Sequence, residues 1–152
     1  MKEVRTEIRI NSGKRAVWDT LSNFAAYPEW NPCLVEVRTE LVTGARVDLT
    51  FRGSRRAMQL NAEIIAARPG EELRWVGPAS RPLRILFRGE HYFVIQETPD
   101  GATRFVHGER FSGLLVPFMA RWLDREIAPA YDAMNRALKV RAEAVDTRAQ
   151  RA

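Results

Sequence analysis

Residues 105–122 read FVHGERFSGLLVPFMARW, and the spacing of their apolar side chains changes part-way along. Up to Phe111 the period is two, so Phe105, His107, Glu109 and Phe111 point to one face of a strand. After Gly113 the period becomes helical: Leu115, Phe118, Met119 and Trp122 continue into Ile127, Tyr131, Met134 and Leu138 as one apolar stripe. A run of strands that ends in a long amphipathic helix needs that helix to cover the sheet's apolar face, which makes the expected class α+β. Pro117 suits the first helical turn, whereas Pro129 removes an internal hydrogen bond and predicts a kink or break near residues 125–128. A single domain is expected over 1–145, with residues 146–152 carrying no core pattern and fraying.

Upstream, Pro99-Asp100-Gly101 fits a three-residue hairpin loop with glycine at the left-handed position. Thr98 then pairs with Ala102, Ile95 faces Phe105, Phe93 faces His107 and His91 faces Glu109. A two-residue loop would set inward residues against outward ones. The strand before the turn is read as 83–97, with Leu83, Ile85, Phe87, Gly89, His91, Phe93 and Ile95 inward. Earlier strands carry Leu73 and Trp75, then Met58, Leu60, Ala62 and Ile64, then Val47, Leu49 and Phe51, then Val35, Val37 and Leu41. The first strand, 3–11, turns Val4, Ile8 and Ile10 inward. It is followed by a helix at 14–22 bearing Val17, Trp18 and Leu21, with Asn11 and Ser12 as candidate N-cap oxygens. FAAYPEWNP then reads as a short helix or turn ending before Pro32. One-sided strands with short loops indicate an antiparallel sheet with one solvated face. A sheet of about seven strands gripping a helix encloses a cavity, the usual kind of small-molecule site.

VWDTLSNFAAYPEWNP (17–32), GEHYFV (89–94), FVHGERFSGLLVPF (105–118) and YDAMNRALKVRAE (131–143) together resemble the polyketide cyclase/dehydrase and lipid-transport family of the START-like (SRPBCC) helix-grip superfamily. The resemblance runs from residue 3 to about 144. It implies a curved antiparallel sheet around a long C-terminal helix, two short helices after the first strand, and a hydrophobic small molecule, lipid or polyketide-like, held between sheet and helix. It carries no universal catalytic set, and a fold of this kind does not fix an activity.

Trp30, Phe51, Trp75, Phe87, Phe93, Trp122 and Tyr131 are the candidate ligand-binding walls, with ordinary core packing the alternative for each; His91, His107 and Glu109 are the candidate polar contacts, with a hydrogen bond to a backbone carbonyl the alternative for His107. Directly opposed residues on antiparallel strands have Cβ atoms about 4.5–5.5 Å apart, so His91 and Glu109 can hydrogen-bond. Three readings of that pair stand: it orients a ligand, it transfers protons in a cyclase or dehydratase reaction, or it satisfies itself in the core. A fourth reading of the whole chain is a protein-interaction module with a filled interior. Asn31 is expected to turn the chain, and Asn135 to be solvated beside the helical stripe.

Other chemistry finds no motif: there is no glycine-rich phosphate loop, nucleophile elbow or cysteine pair, and no cofactor or metal is expected. Cys33 is the single cysteine and reads as a free, buried thiol. The net charge is +5, but the arginines are dispersed apart from Arg52, Arg55 and Arg56 in RGSRR, read as a solvated hairpin tip; no nucleic-acid partner is expected. MKEVRTEIRI alternates charged and apolar residues unlike a signal peptide, and no later stretch is long and apolar enough for membrane insertion, so a cytoplasmic location is expected.

Overall fold

The computed structural model describes residues 1–152. Seven strands, β1 (Lys2–Ile10), β2 (Leu34–Arg38), β3 (Arg46–Arg52), β4 (Ala57–Arg68), β5 (Glu72–Gly77), β6 (Arg88–Glu97) and β7 (Thr103–Ser112), form one antiparallel sheet in the order β1-β7-β6-β5-β4-β3-β2. The first strand therefore pairs with the last. Helices α1 (Lys14–Ser22) and α2 (Tyr27–Trp30), separated by a 3₁₀ turn at Phe24–Ala26, carry the chain from one edge of the sheet to the other. Register shifts between Leu34 and Glu36 in β2 and between Ile64 and Ala66 in β4 bend those strands and help curl the sheet. Helix α3 (Val116–Arg151) lies in the resulting half-barrel, with Leu123, Ile127, Tyr131, Met134 and Leu138 buried against the sheet.

The β6–β7 hairpin follows from its turn. Thr98 N–H donates to Ala102 O at 2.8 Å, and Gly101 adopts φ 81°. The expected pairs Ile95–Phe105, Phe93–His107 and His91–Glu109 are all present. In β2 the bulge turns Leu34 and Val37 into the core, leaving Val35 half-buried and Leu41 beyond the strand's end.

Four other expectations are corrected. The strand read as 83–97 begins only at Arg88, because Pro82–Ile85 is a 3₁₀ turn. Arg84 holds that turn by donating to Pro78 O at 2.7 Å and to Glu63 Oε2 at 2.9 Å, contacts that alternation cannot reveal. Asn11 and Ser12 do not cap α1, whose N-cap is Gly13 without a side-chain bond. Instead Asn11 N–H donates to Glu143 Oε1 at 2.7 Å and Ser12 Oγ donates to Asp146 Oδ2 at 2.9 Å, and the C-terminal segment stays helical to Arg151 rather than fraying. The first turns of α3 lie at the surface, so Leu115, Phe118 and Trp122 are exposed and Leu123 takes the buried place. At the junction before them Gly113 has φ 115°, and a Cβ there would stand 2.6 Å from Leu86 O.

Pro129 does not break α3, which is continuous across it. Both Pro129 and Arg125 are exposed, so the carbonyl that loses its helical N–H partner lies on the solvated face. Pro129→Ala restores that hydrogen bond and should raise the unfolding free energy by about 1–2 kcal/mol in a urea titration. Unchanged or lower stability would show that the helix depends on its proline.

Candidate functional site

A cavity of about 470 Å³ lies between the curled sheet and the N-terminal half of α3. Leu49 and Phe51 of β3 with Met58, Leu60 and Ala62 of β4 form one wall; Met119, Trp122, Leu123 and Ile127 of α3 form the other. Leu60, Leu83, Leu86 and Trp122 are exposed lining residues, so the mouth opens between β4, the 3₁₀ turn and the start of α3. The inner end is polar: His91, Glu109 and Tyr131 meet there beside Trp75, whose indole stacks on His91 with ring centroids 4.9 Å apart.

Of the residues expected at the site, Phe51, Trp75, Phe87, His91, Glu109, Trp122 and Tyr131 line the cavity. Trp30, Phe93 and His107 do not. Phe93 and His107 are wholly buried behind the cavity end, and Trp30 packs edge-on against Tyr27. Asn31 turns the chain as expected, its Oδ1 accepting from the N–H groups of Cys33 and Leu34 at 3.0 and 2.9 Å. Cys33 is a buried free thiol, and burial pushes its pKa far above the ordinary thiol value. Asn61 lines the cavity unannounced by any motif, with Oδ1 accepting from Ala79 N–H at 2.9 Å. Asn135 is not solvated but buried, a correction that matters to the histidines.

The polar end is a chain of hydrogen bonds whose directions follow from one fixed donor. Thr6 Oγ1 donates to His107 O at 3.0 Å, so its lone pairs receive Asn135 Nδ2 at 2.8 Å. That orientation aims Asn135 Oδ1 at His107 Nδ1, 2.9 Å away, and makes Nδ1 the protonated nitrogen. Burial, reinforced by the neighbouring His91, holds His107 well below the usual histidine value of 6.5, so it is neutral and its Nε2 carries a lone pair. His91 Nε2, 3.0 Å away, must then donate to it. On the far side His91 Nδ1 lies 3.0 Å from the Tyr131 hydroxyl, which also bonds Glu109 Oε2.

The expected direct His91–Glu109 hydrogen bond is thus replaced by a bridge. Nδ1 and Oε2 are 3.6 Å apart, and the Tyr131 hydroxyl sits between them. Burial, aided by the Glu109 carboxylate, pushes the phenol well above its ordinary value, so Tyr131 keeps its proton. Two arrangements satisfy the three groups. In one, Tyr131 donates to the Glu109 carboxylate and accepts from His91 imidazolium; in the other, the Glu109 acid O–H donates to Tyr131, which donates to neutral His91. They contain the same protons and differ by two short transfers.

Glu109 Oε1 has no hydrogen-bond partner within the protein. Gly89 makes room for it, since a Cβ there would stand 2.2 Å from this oxygen. No cluster of three His, Cys, Asp or Glu side chains has the arrangement of a metal site, and the ring nitrogens of both histidines are engaged in the chain just described.

A family model described as polyketide cyclase / dehydrase and lipid transport matches residues 1–143. The chain belongs to that family. Among solved structures it is similar to the Zhui aromatase/cyclase of a Streptomyces species, with TM-score 0.74, 17% identity and 93% of each chain covered. It is also similar to a Thermus thermophilus protein, with TM-score 0.73, 14% identity and coverage of 95% of this chain and 99% of that one. A Mesorhizobium loti protein matches with TM-score 0.71, 20% identity and the same two coverages. At these identities the likeness establishes the helix-grip fold. No curated protein matches the chain in sequence.

Neutral His107 has a consequence for stability. As pH falls below 6.5 the unfolded chain takes up a proton there and the folded chain does not, so this contribution is full above 6.5 and is lost on acidification. The loss approaches about 1.4 kcal/mol per pH unit. His107→Gln, which retains an N–H for Asn135, should flatten the slope of unfolding free energy against pH in that range; an unchanged slope would contradict a neutral His107.

Proposed function

We propose that the protein binds a hydrophobic or aromatic small molecule, lipid or polyketide-like, in the cavity between the sheet and α3. The observation that carries this reading is an apolar cavity of about 470 Å³ ending on one unpartnered carboxylate oxygen, Glu109 Oε1. Apolar walls supply affinity, and the oxygen selects a ligand that presents a hydroxyl or N–H at its inner end. Family membership and the likeness to an aromatase/cyclase fold support a ligand of that class. The cavity between the sheet and α3 favours this reading over an interaction module, of which a filled interior is expected. A cytoplasmic location belongs to the same proposal; no helix is long and apolar enough to cross a membrane.

The test is a ligand screen by thermal shift and native mass spectrometry over aromatic and long-chain alcohols and acids. A bound ligand at one hundred times its Kd should add about 2.7 kcal/mol to stability. Ala62→Leu, which places bulk in the cavity wall, should abolish the shift while the variant stays folded by circular dichroism. A shift that survives in Ala62→Leu would place the ligand elsewhere.

A second reading, proton transfer of the cyclase or dehydratase type, is favoured by the relay from Glu109 through Tyr131 to His91. Glu109 would exchange a proton with a bound substrate, and the relay would supply or remove it without solvent. Under this reading Glu109→Gln and His91→Ala both lower kcat by about 10²–10⁴-fold, and His91→Ala, which leaves the Glu109 acceptor in place, changes ligand affinity little. Full turnover in both variants would leave binding as the function.

A further inference from the structure

The cavity mouth borders a surface that neither the core nor the ligand site explains. Most of the large apolar side chains left in solvent gather there, led by Phe118 at 87%, Ile85 at 68% and Leu114 at 66% exposure. They come from separate short segments joined into one face: Leu114 N–H donates to Ile85 O at 3.1 Å, Leu115 N–H to Leu86 O at 2.9 Å, and Phe118 N–H to Leu115 O at 3.1 Å. Leu83 and Leu86 of the same face line the cavity itself.

Beside this apolar edge is an open recess of about 770 Å³, lined by Arg55 and Arg56 of the β3–β4 hairpin and by Arg121 and Arg125 of α3. Trp122 and Met58 line both the recess and the cavity, so the two adjoin. Most arginines elsewhere lie within an ion pair, as Arg74, Arg84 and Arg110 do, whereas none of these four has a carboxylate within salt-bridge distance. Glu126 is the one acid in the recess, and its Oε2 already accepts from Ser54 N–H at 3.1 Å. Four guanidiniums facing solvent against one carboxylate make a strongly basic rim, and three exposed apolar side chains flank it.

We propose that this face docks on the surface of an anionic lipid bilayer. Phe118, Ile85 and Leu114 enter the boundary between headgroups and acyl chains, and Arg55, Arg56, Arg121 and Arg125 lie against lipid phosphates. Charge complementarity selects an anionic surface, and the apolar side chains, standing singly on a turn, a loop and the first turn of a helix, suit a fluid boundary more than a fitted protein groove. Docking would also turn the cavity mouth toward the bilayer. On the binding reading above, an apolar ligand would then pass between cavity and lipid without exposing its surface to water. The proposed association is peripheral; no helix is long and apolar enough to cross a membrane.

Flotation with phosphatidylcholine vesicles, with and without phosphatidylglycerol as a minor component, tests this. The protein should float with the phosphatidylglycerol vesicles only, and less as salt rises. Arg121→Glu with Arg125→Glu should weaken partitioning by about thirtyfold or more, and Ile85→Ser with Phe118→Ser by about tenfold or more. Neither pair lines the cavity, so both variants should bind soluble ligands as the parent does in vesicle-free titrations; that readout reports on the binding reading separately. Absence of flotation with anionic vesicles would overturn the proposal. So would flotation that the two serine substitutions leave unchanged, because the face would then be attracting polyanions in general, acidic proteins and nucleic acids included.

Discussion

Two imidazoles buried under a helix are tolerable only when each ring nitrogen has a partner, and the seating of α3 on the sheet depends on that condition. Tyr131 and Asn135, one helical turn apart, meet His91 and His107 on adjacent strands, while Thr6 of β1 closes the chain. Each buried group left unpaired would cost about 1–3 kcal/mol. A slip of α3 by one residue would orphan several at once. The apolar stripe brings the helix to the sheet, and the polar chain fixes where it stops.

That constraint also shapes the cavity. The chain runs from Thr6 through Asn135, His107, His91 and Tyr131 to Glu109, and it ends with one carboxylate oxygen unspent. Below this point the interior is filled by Phe93, Phe105 and Met134; beyond it the curl of β3 and β4 holds the sheet away from the N-terminal half of α3. The result is an apolar volume with a single polar inner end and a mouth bordered by exposed apolar side chains and unpaired arginines. Each of these parts suits an amphipathic ligand more than a fully polar one.

The sequence made the antiparallel sheet, the hairpin register and the covering helix legible because each has a local cause: alternation, the Pro-Asp-Gly turn and a helical stripe. The facing of His91 and Glu109 followed from that turn together with the alternation on both strands. What escaped the reading depends on partners distant in sequence. Leu83 and Ile85 alternate like a strand, but Arg84 finds acceptors on Pro78 and Glu63 and winds the chain into a turn. Asn135 looks like a surface residue until His107 and Thr6 are placed beneath it. The bridge through Tyr131 was hidden because helix phase against a sheet is a tertiary property. The exposed start of the stripe at Phe118 follows from where the sheet ends, which periodicity does not record.

The central claim is that Glu109 Oε1 closes an apolar cavity as a hydrogen-bond acceptor for a bound ligand. Calorimetric titration with 1-naphthol and with naphthalene separates the two parts of that claim, since the pair differ by one hydroxyl. Saturable one-to-one binding of both, with naphthol tighter by about tenfold or more and the difference lost in Glu109→Gln, is the predicted result. Equal affinities for the two, or no saturable binding of either, would contradict it.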